Sequence, residues 1–182
     1  MATALIIVDV QQDFISGSLG ALGRARVIEP LTRLAGTADF VVSSLDWHPA
    51  DHSSFAEHPT FTDGSWPAHC VQGTHGADID PSLARLSDAF VFKGTDRDVE
   101  AYSAFDGSTT SGRSLNALLA DRGIDRVVIG GLCTDYCVLA TALDAVALGY
   151  DVTVAVDACA GVSDDTTAEA LARMARAGVT LK

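Results

Sequence analysis

A chain of 182 residues, 48% hydrophobic and 20% charged, reads as one folded domain with a sizeable core rather than a disordered segment. Its 24 acidic residues outnumber 12 basic ones and leave a formal charge of −12. A surface of that sign repels phosphate backbones and anionic lipid, so neither nucleic acid nor a membrane surface is expected as a partner.

The elements follow from the hydrophobic pattern. The opening MATALIIVDVQQDF has no basic start and its apolar run stops at Asp9. No signal peptide or membrane span is expected, and the chain is assigned to the cytoplasm, where thiols stay reduced. Four cysteines in such a chain do not read as a disulfide framework. Residues 4–10 form the first expected strand. A short helix over 30–35 has Pro30 at a position suited to a first helical turn. Residues 40–45 give a second strand. The stretch 47–77 holds all five histidines with no sustained period, and a loop that long in a compact domain is usually functional. A strand at 89–92 and a helix at 114–121 ending on Gly123 come next. Then follow a strand at 126–129, a helix at 135–148 ending on Gly149, and a strand at 151–156. A helix over 164–177 opens on Asp164 and Asp165, where the helix dipole favours negative charge. Residues 179–181 supply a sixth strand.

Strands alternating with helices imply a parallel sheet with helices on both faces, an α/β fold. In open sheets of this kind ligands bind outside the carboxyl ends of the strands. The segments arriving there are DVQQDF, DWHPADH, KGTD and GGLCTDYC.

Cys133 and Cys137 in the last of these admit four readings: half a metal site, a redox pair, small buried residues, or a nucleophile with a bystander. Three intervening residues disfavour the redox motif, and structural zinc sites use shorter spacings. With Thr134 as N-cap, Cys137 occupies the third helical position, near free N–H groups that favour a thiolate. Asp9 ends an apolar strand. It is either a turn aspartate or, with Asp13 taking that part, a free carboxylate. Lys93 is one of two lysines beside ten arginines. Its place at the end of an apolar run points to a compact ammonium rather than a solvated strand end. Cys, Asp and Lys together make a nucleophilic set: the carboxylate takes the thiol proton and returns it to a leaving amine. The turn before Cys137 can offer backbone N–H groups to an oxyanion.

Asp46 and His48 are spaced D-x-H, which puts both side chains on one face of an extended segment. Pro49 keeps His48 out of a helix. His69 closes the set from further along the loop, and His52 is a fourth ligand, direct or through water. Glu57, His58 and His75 are weaker candidates. Mixed N/O ligands suit one divalent ion, with Zn, Fe and Mn left open. Phe14, Trp47, Trp66, Tyr102 and Phe105 are candidates for an aromatic wall.

The motifs VDVQQDF, DWHPADHSSF, SWPAHCVQGT, FKG, AYSAF and GGLCTDYCV, in this order, resemble the nicotinamidase/pyrazinamidase branch of the isochorismatase-like cysteine hydrolases. The resemblance covers nearly the whole chain. It implies a single three-layer α/β/α domain around a six-stranded, mostly parallel sheet, and hydrolysis of nicotinamide to nicotinate and ammonia in NAD salvage. It implies Cys137 as nucleophile forming a thioester, Asp9 as proton carrier and Lys93 as third member of the triad. The N–H groups of Cys133 and Cys137 are implied as the oxyanion hole, with a cis peptide between Leu132 and Cys133. Asp46, His48 and His69 match metal ligands, and His52 matches a ligand of some members only. The metal is expected to bind the pyridine nitrogen. Phe14, Trp66 and Tyr102 match pocket walls, with Leu132 beside the substrate. An amidase of the same superfamily acting on N-carbamoyl or ureido compounds is the near alternative, and a non-catalytic nucleotide-binding protein the distant one. A small-molecule substrate is the expected partner, and a homo-oligomer is compatible with the sequence.

Overall fold

The computed structural model of the chain describes residues 2–182 except 22 and 62. Six strands form one parallel sheet: β1 (Ala2–Val8), β2 (Phe40–Asp46), β3 (Ala89–Lys93), β4 (Ile124–Leu132), β5 (Asp151–Ala160) and β6 (Thr180–Leu181). Their spatial order is β3-β2-β1-β4-β5-β6, with every adjacent pair parallel. The expected α/β fold is the one observed. Parallel strands covered on both faces need apolar side chains in both directions, and β1 meets that need with Leu5, Ile6, Ile7 and Val8 all fully buried.

Alternation along the strands separates two cores. Ala4, Ile6 and Val8 pack with α4 (Leu115–Ala120), α5 (Leu139–Ala147) and α6 (Asp164–Arg176). Leu5 and Ile7 pack on the other face with Phe14 of α1 (Gln12–Ile15), Leu31 of α2 (Ile28–Ala35) and Leu83 of α3 (Pro81–Ala84). The result is three layers. Caps behave as their residue types require: Ser114 accepts from the Ala117 N–H, Ser163 from that of Thr166, and Asp80 from Ser82 and Leu83 ahead of Pro81.

Several expected boundaries move: β1 spans Ala2–Val8 rather than 4–10, so Asp9 and Val10 lie beyond it, and β5 runs on from 156 to Ala160. β4 runs on through Gly130 and Gly131 to Leu132. Gly131 has φ +135°, and a Cβ there would overlap the Val8 carbonyl, so only glycine permits this approach to β1. The helix expected from residue 135 instead opens with a π-helical turn, Thr134–Val138. Cys133, not Thr134, takes the extended N-cap conformation there. Such turns are rare and concentrate at functional sites.

The chain leaves β1 toward β2 and β3 on one side and resumes with β4, β5 and β6 on the other. The order therefore reverses between β1 and β4, and the crevice outside their carboxyl ends is the favoured ligand site of such sheets.

Candidate active site

Asp9 follows β1 with a left-handed φ of 48°, a conformation that non-glycine residues adopt at a cost and that clusters at functional sites. Its carboxylate is fully buried. Oδ1 accepts from the Ser44 hydroxyl at 2.6 Å, and Oδ2 lies 3.0 Å from Lys93 Nζ. Lys93, the last residue of β3, is also buried and donates to Asp46 Oδ1, to the Ala101 carbonyl at 3.1 Å and toward Cys137 Sγ at 3.6 Å. Oxygen atoms of Asp9 and Asp46 and the sulfur of Cys137 lie within 4.8 Å of one another. Three strand ends and the π turn after β4 thus bring a thiol, two carboxylates and an ammonium into one cluster.

Burial pushes the Asp9 carboxyl up, with Asp46 adding to the rise and Lys93 opposing it. Burial likewise drives the Cys137 thiol well above its ordinary value against the pull of Lys93. Asp46 differs. Burial works to raise it, but Lys93 and the imidazoles of His48 and His69 hold it well below the usual carboxylate range. Burial acts against the Lys93 charge, and the two carboxylates overcome it and hold the ammonium well above its ordinary value. The shifts thus favour the neutral form at the Cys137 thiol and at Asp9, and the charged form at Asp46 and Lys93.

Asp46, His48 and His69 form a second convergence: one ligand atom of each lies within 4.8 Å of the other two, and all three residues are buried. His48 Nδ1 donates to the Gly94 carbonyl at 2.9 Å and His69 Nδ1 to that of Pro67 at 2.8 Å. These bonds fix the tautomer that leaves Nε2 a bare lone pair on each ring. The Nε2 atoms lie 3.7 and 4.0 Å from Asp46 Oδ2. Among the described residues His48 Nε2 is buried without any hydrogen-bond partner, an orphan that a cation would satisfy. Burial lowers the His69 pKa, which favours a neutral ligand; at His48 the burial effect is overcome by Asp46, which raises it. The donor set fits a divalent ion of mixed N/O preference.

His52 is placed differently from the fourth-ligand expectation. Its ring centroid lies 4.3 Å from that of His48, the planes tilted by 46°, but Nδ1 bonds the Ser54 hydroxyl at 2.8 Å and Nε2 faces the Val99 carbonyl at 3.3 Å. Both nitrogens are engaged, so neither points a free lone pair at the group. Glu57, His58 and His75 are solvent-exposed, and His75 pairs with Asp78 at 3.1 Å.

The cluster opens on a cavity of about 330 Å³ whose lining includes Asp46, His69, Cys133 and Cys137. Phe14, Trp66 and Tyr102 wall it, with Trp66 Nε1 donating to the Tyr102 hydroxyl at 3.3 Å. Trp47 and Phe105 turn away from it and pack on Phe92 and Tyr150. Leu132 is fully buried and does not line the cavity. Its peptide bond to Cys133 is cis.

Three residues of the site, Tyr136, Gln11 and Arg24, carried no signal in the sequence reading, and Asp13 was read only as a turn aspartate. Tyr136 lines the cavity edge-on to Trp66 at 5.1 Å. Gln11, fully buried, clasps Asp46: its Nε2 donates to the Asp46 and Ala77 carbonyls at 2.8 and 2.9 Å, and its Oε1 accepts from the Asp46 N–H at 2.9 Å. Asp13 accepts from the Cys70 N–H at 2.8 Å, next to His69. Arg24 lines the cavity while almost wholly buried.

Residues 3–181 match the isochorismatase domain family. The chain belongs to that family. It is 45% identical over 185 residues to a nicotinamidase/pyrazinamidase of Mycobacterium tuberculosis, covering 98% of this chain and 97% of the relative. It is 40% identical over 198 residues to an Escherichia coli nicotinamidase, covering 98% and 93%. Among solved structures it is similar to the Pyrococcus horikoshii pyrazinamidase in complex with zinc. That match has a TM-score of 0.86 and 35% identity, over 100% of this chain and 99% of the other.

Proposed function

We propose that the protein is a cysteine amidohydrolase that converts nicotinamide, and the related pyrazinamide, to the carboxylic acid and ammonia, a reaction of NAD salvage. One observation carries the reading: Asp9, Lys93 and Cys137 meet in a buried cluster beside Asp46, His48 and His69, on a single aromatic-walled cavity. The names of the full-length relatives support the choice of substrate.

In the reaction, Asp9 takes the Cys137 proton as the sulfur attacks the carboxamide carbon. The tetrahedral oxyanion is received by the backbone N–H groups of Cys133 and Cys137. Asp9 passes its proton to the departing ammonia, leaving a Cys137 thioester. Asp9 then accepts a proton from the attacking water, the C–S bond of the thioester breaks, Asp9 returns the proton to the Cys137 sulfur, and the acid leaves. Lys93 holds Asp9 in place and offsets the negative charge of the thiolate. Asp46, His48 and His69 would hold a divalent ion, zinc, iron or manganese. Such an ion would supply a Lewis acid for a ring nitrogen of the substrate. Trp66, Phe14 and Tyr102 sandwich the ring.

Incubation with nicotinamide, with ammonia measured before and after chelation, tests this. Ammonia release that falls on chelation and returns with metal is expected. Absence of release, or full activity toward an N-carbamoyl substrate in metal-free protein, would overturn it in favour of the related amidase.

A further inference from the structure

The cavity is larger than one pyridine ring needs. At about 330 Å³ it lies in the range that takes drug-sized ligands. Its floor holds the buried Asp46, His69, Cys133 and Cys137. Its rim is of another kind. Phe61 and Val162 line the same cavity while 49% and 50% exposed. With Leu86, Val99 and Leu148 they are the exposed large hydrophobics among the described residues. Single exposed apolar side chains need no explanation, but two on the mouth of one cavity mark a surface that a ligand covers.

Both rim residues are fixed to the walls. Phe61 takes a left-handed φ of 63°, which a bulky residue adopts at a cost. Its ring meets that of Trp66 at 5.8 Å and 64°, and so extends the aromatic wall toward solvent. The loop around it is tied down: the Thr60 N–H donates to the Ser65 hydroxyl at 2.9 Å, and the Ser65 N–H to Asp63 Oδ1 at 2.9 Å. Val162 follows β5. Its N–H donates to both carboxylate oxygens of Asp135 at 3.0 and 3.1 Å, and Asp135 belongs to the π turn that carries Cys137. Leu19, also on the lining, adds apolar surface from a third segment.

We infer that Phe61, Val162 and Leu19 form an outer apolar subsite, which takes a short alkyl or aryl substituent on the aromatic ring of the amide. The orientation of that ring rests on the hydrolysis proposed above, which sets the carboxamide carbon against Cys137 and a ring nitrogen toward Asp46, His48 and His69. In a pyridine-3-carboxamide the 2-position lies between those two anchors. The 5-position lies opposite, so a group there points away from the buried floor and toward the exposed rim. The substrate class thereby widens from bare pyridine and pyrazine carboxamides to 5-substituted ones, and Phe61 and Val162 are its specificity-determining residues.

Calorimetry on zinc-loaded Cys137→Ala protein, which lacks the attacking sulfur, compares nicotinamide with 5-propylnicotinamide. A propyl group partly buried against this rim is expected to tighten binding roughly five- to tenfold. Adding Phe61→Ala or Val162→Ala is expected to cut that advantage, and both together to abolish it. Both side chains are half-exposed, so their truncation leaves the core intact. A propyl amide that binds no tighter than nicotinamide overturns the inference, as does an advantage that survives the double truncation. If neither amide binds, the subsite falls together with the hydrolysis it rests on. An advantage that depends on Phe61 and Val162, with no ammonia released from nicotinamide by the unmodified protein, would sink the amidase reading alone.

Discussion

Replacing Gln11 with methionine tests how the site is built. Methionine matches the length of glutamine without its polar groups. The change removes three hydrogen bonds of 2.8 to 2.9 Å and strands the Asp46 N–H, the Asp46 carbonyl and the Ala77 carbonyl around a fully buried side chain. A buried polar group left unpaired costs about 1–3 kcal/mol, so the low end for three is about 3 kcal/mol. For a chain of 182 residues that corresponds to a fall in Tm of roughly 6–12 °C. Asp46 also loses the clasp that orients it. Losing a group that orients a metal ligand typically weakens metal binding by roughly 10–100-fold. Urea unfolding of the metal-free protein gives the first quantity, and competition with a chromogenic chelator gives the second. A Gln11→Met protein within about 1 kcal/mol of wild type, with unchanged metal affinity, would refute the reasoning.

Other expected outcomes follow from single contacts. Gly94 has φ +61°, and a Cβ there would lie 2.6 Å from His48 Nδ1. Gly94→Ala should displace the His48 ring and weaken metal binding by more than tenfold, read by the same competition. Burial pushes the thiols of Cys133 and Cys159 up to about 12. At pH 8 each is a thiolate to about one part in ten thousand, and the reactive fraction grows only as pH climbs toward that value. Peptide mapping after brief iodoacetamide treatment at pH 8 should find both unlabelled, and rapid labelling of either would contradict the burial.

Most of the frame could be read from the chain because its signals are local. The apolar runs of β1 and β2 and the acidic first turn of α6, Asp164 and Asp165, need no distant partner to be recognised. Strand ends were less legible. Residues 130–132 look like a turn because two glycines follow Ile129, yet Gly131 belongs to β4 by virtue of Val8 on the neighbouring strand. The cluster residues Asp9, Lys93 and Cys137 stood out because each is chemically out of place beside an apolar run. Gln11 and Arg24 did not. A glutamine or arginine in a polar stretch looks solvated, and only packing against Asp46 or Phe14 reveals otherwise. His52 was read as a further ligand, direct or through water, from its place in the histidine loop, and in the structure its ring nitrogens bond Ser54 and face Val99.

The most direct measurement is on the sulfur of Cys137. Acid quenching during nicotinamide turnover, followed by mass spectrometry of the peptide that carries it, should find one pyridinecarbonyl group attached there. Cys137→Ala should retain the fold and the metal while releasing no ammonia. Continued ammonia release by that variant, or turnover with the acyl group on any other residue, would contradict the account.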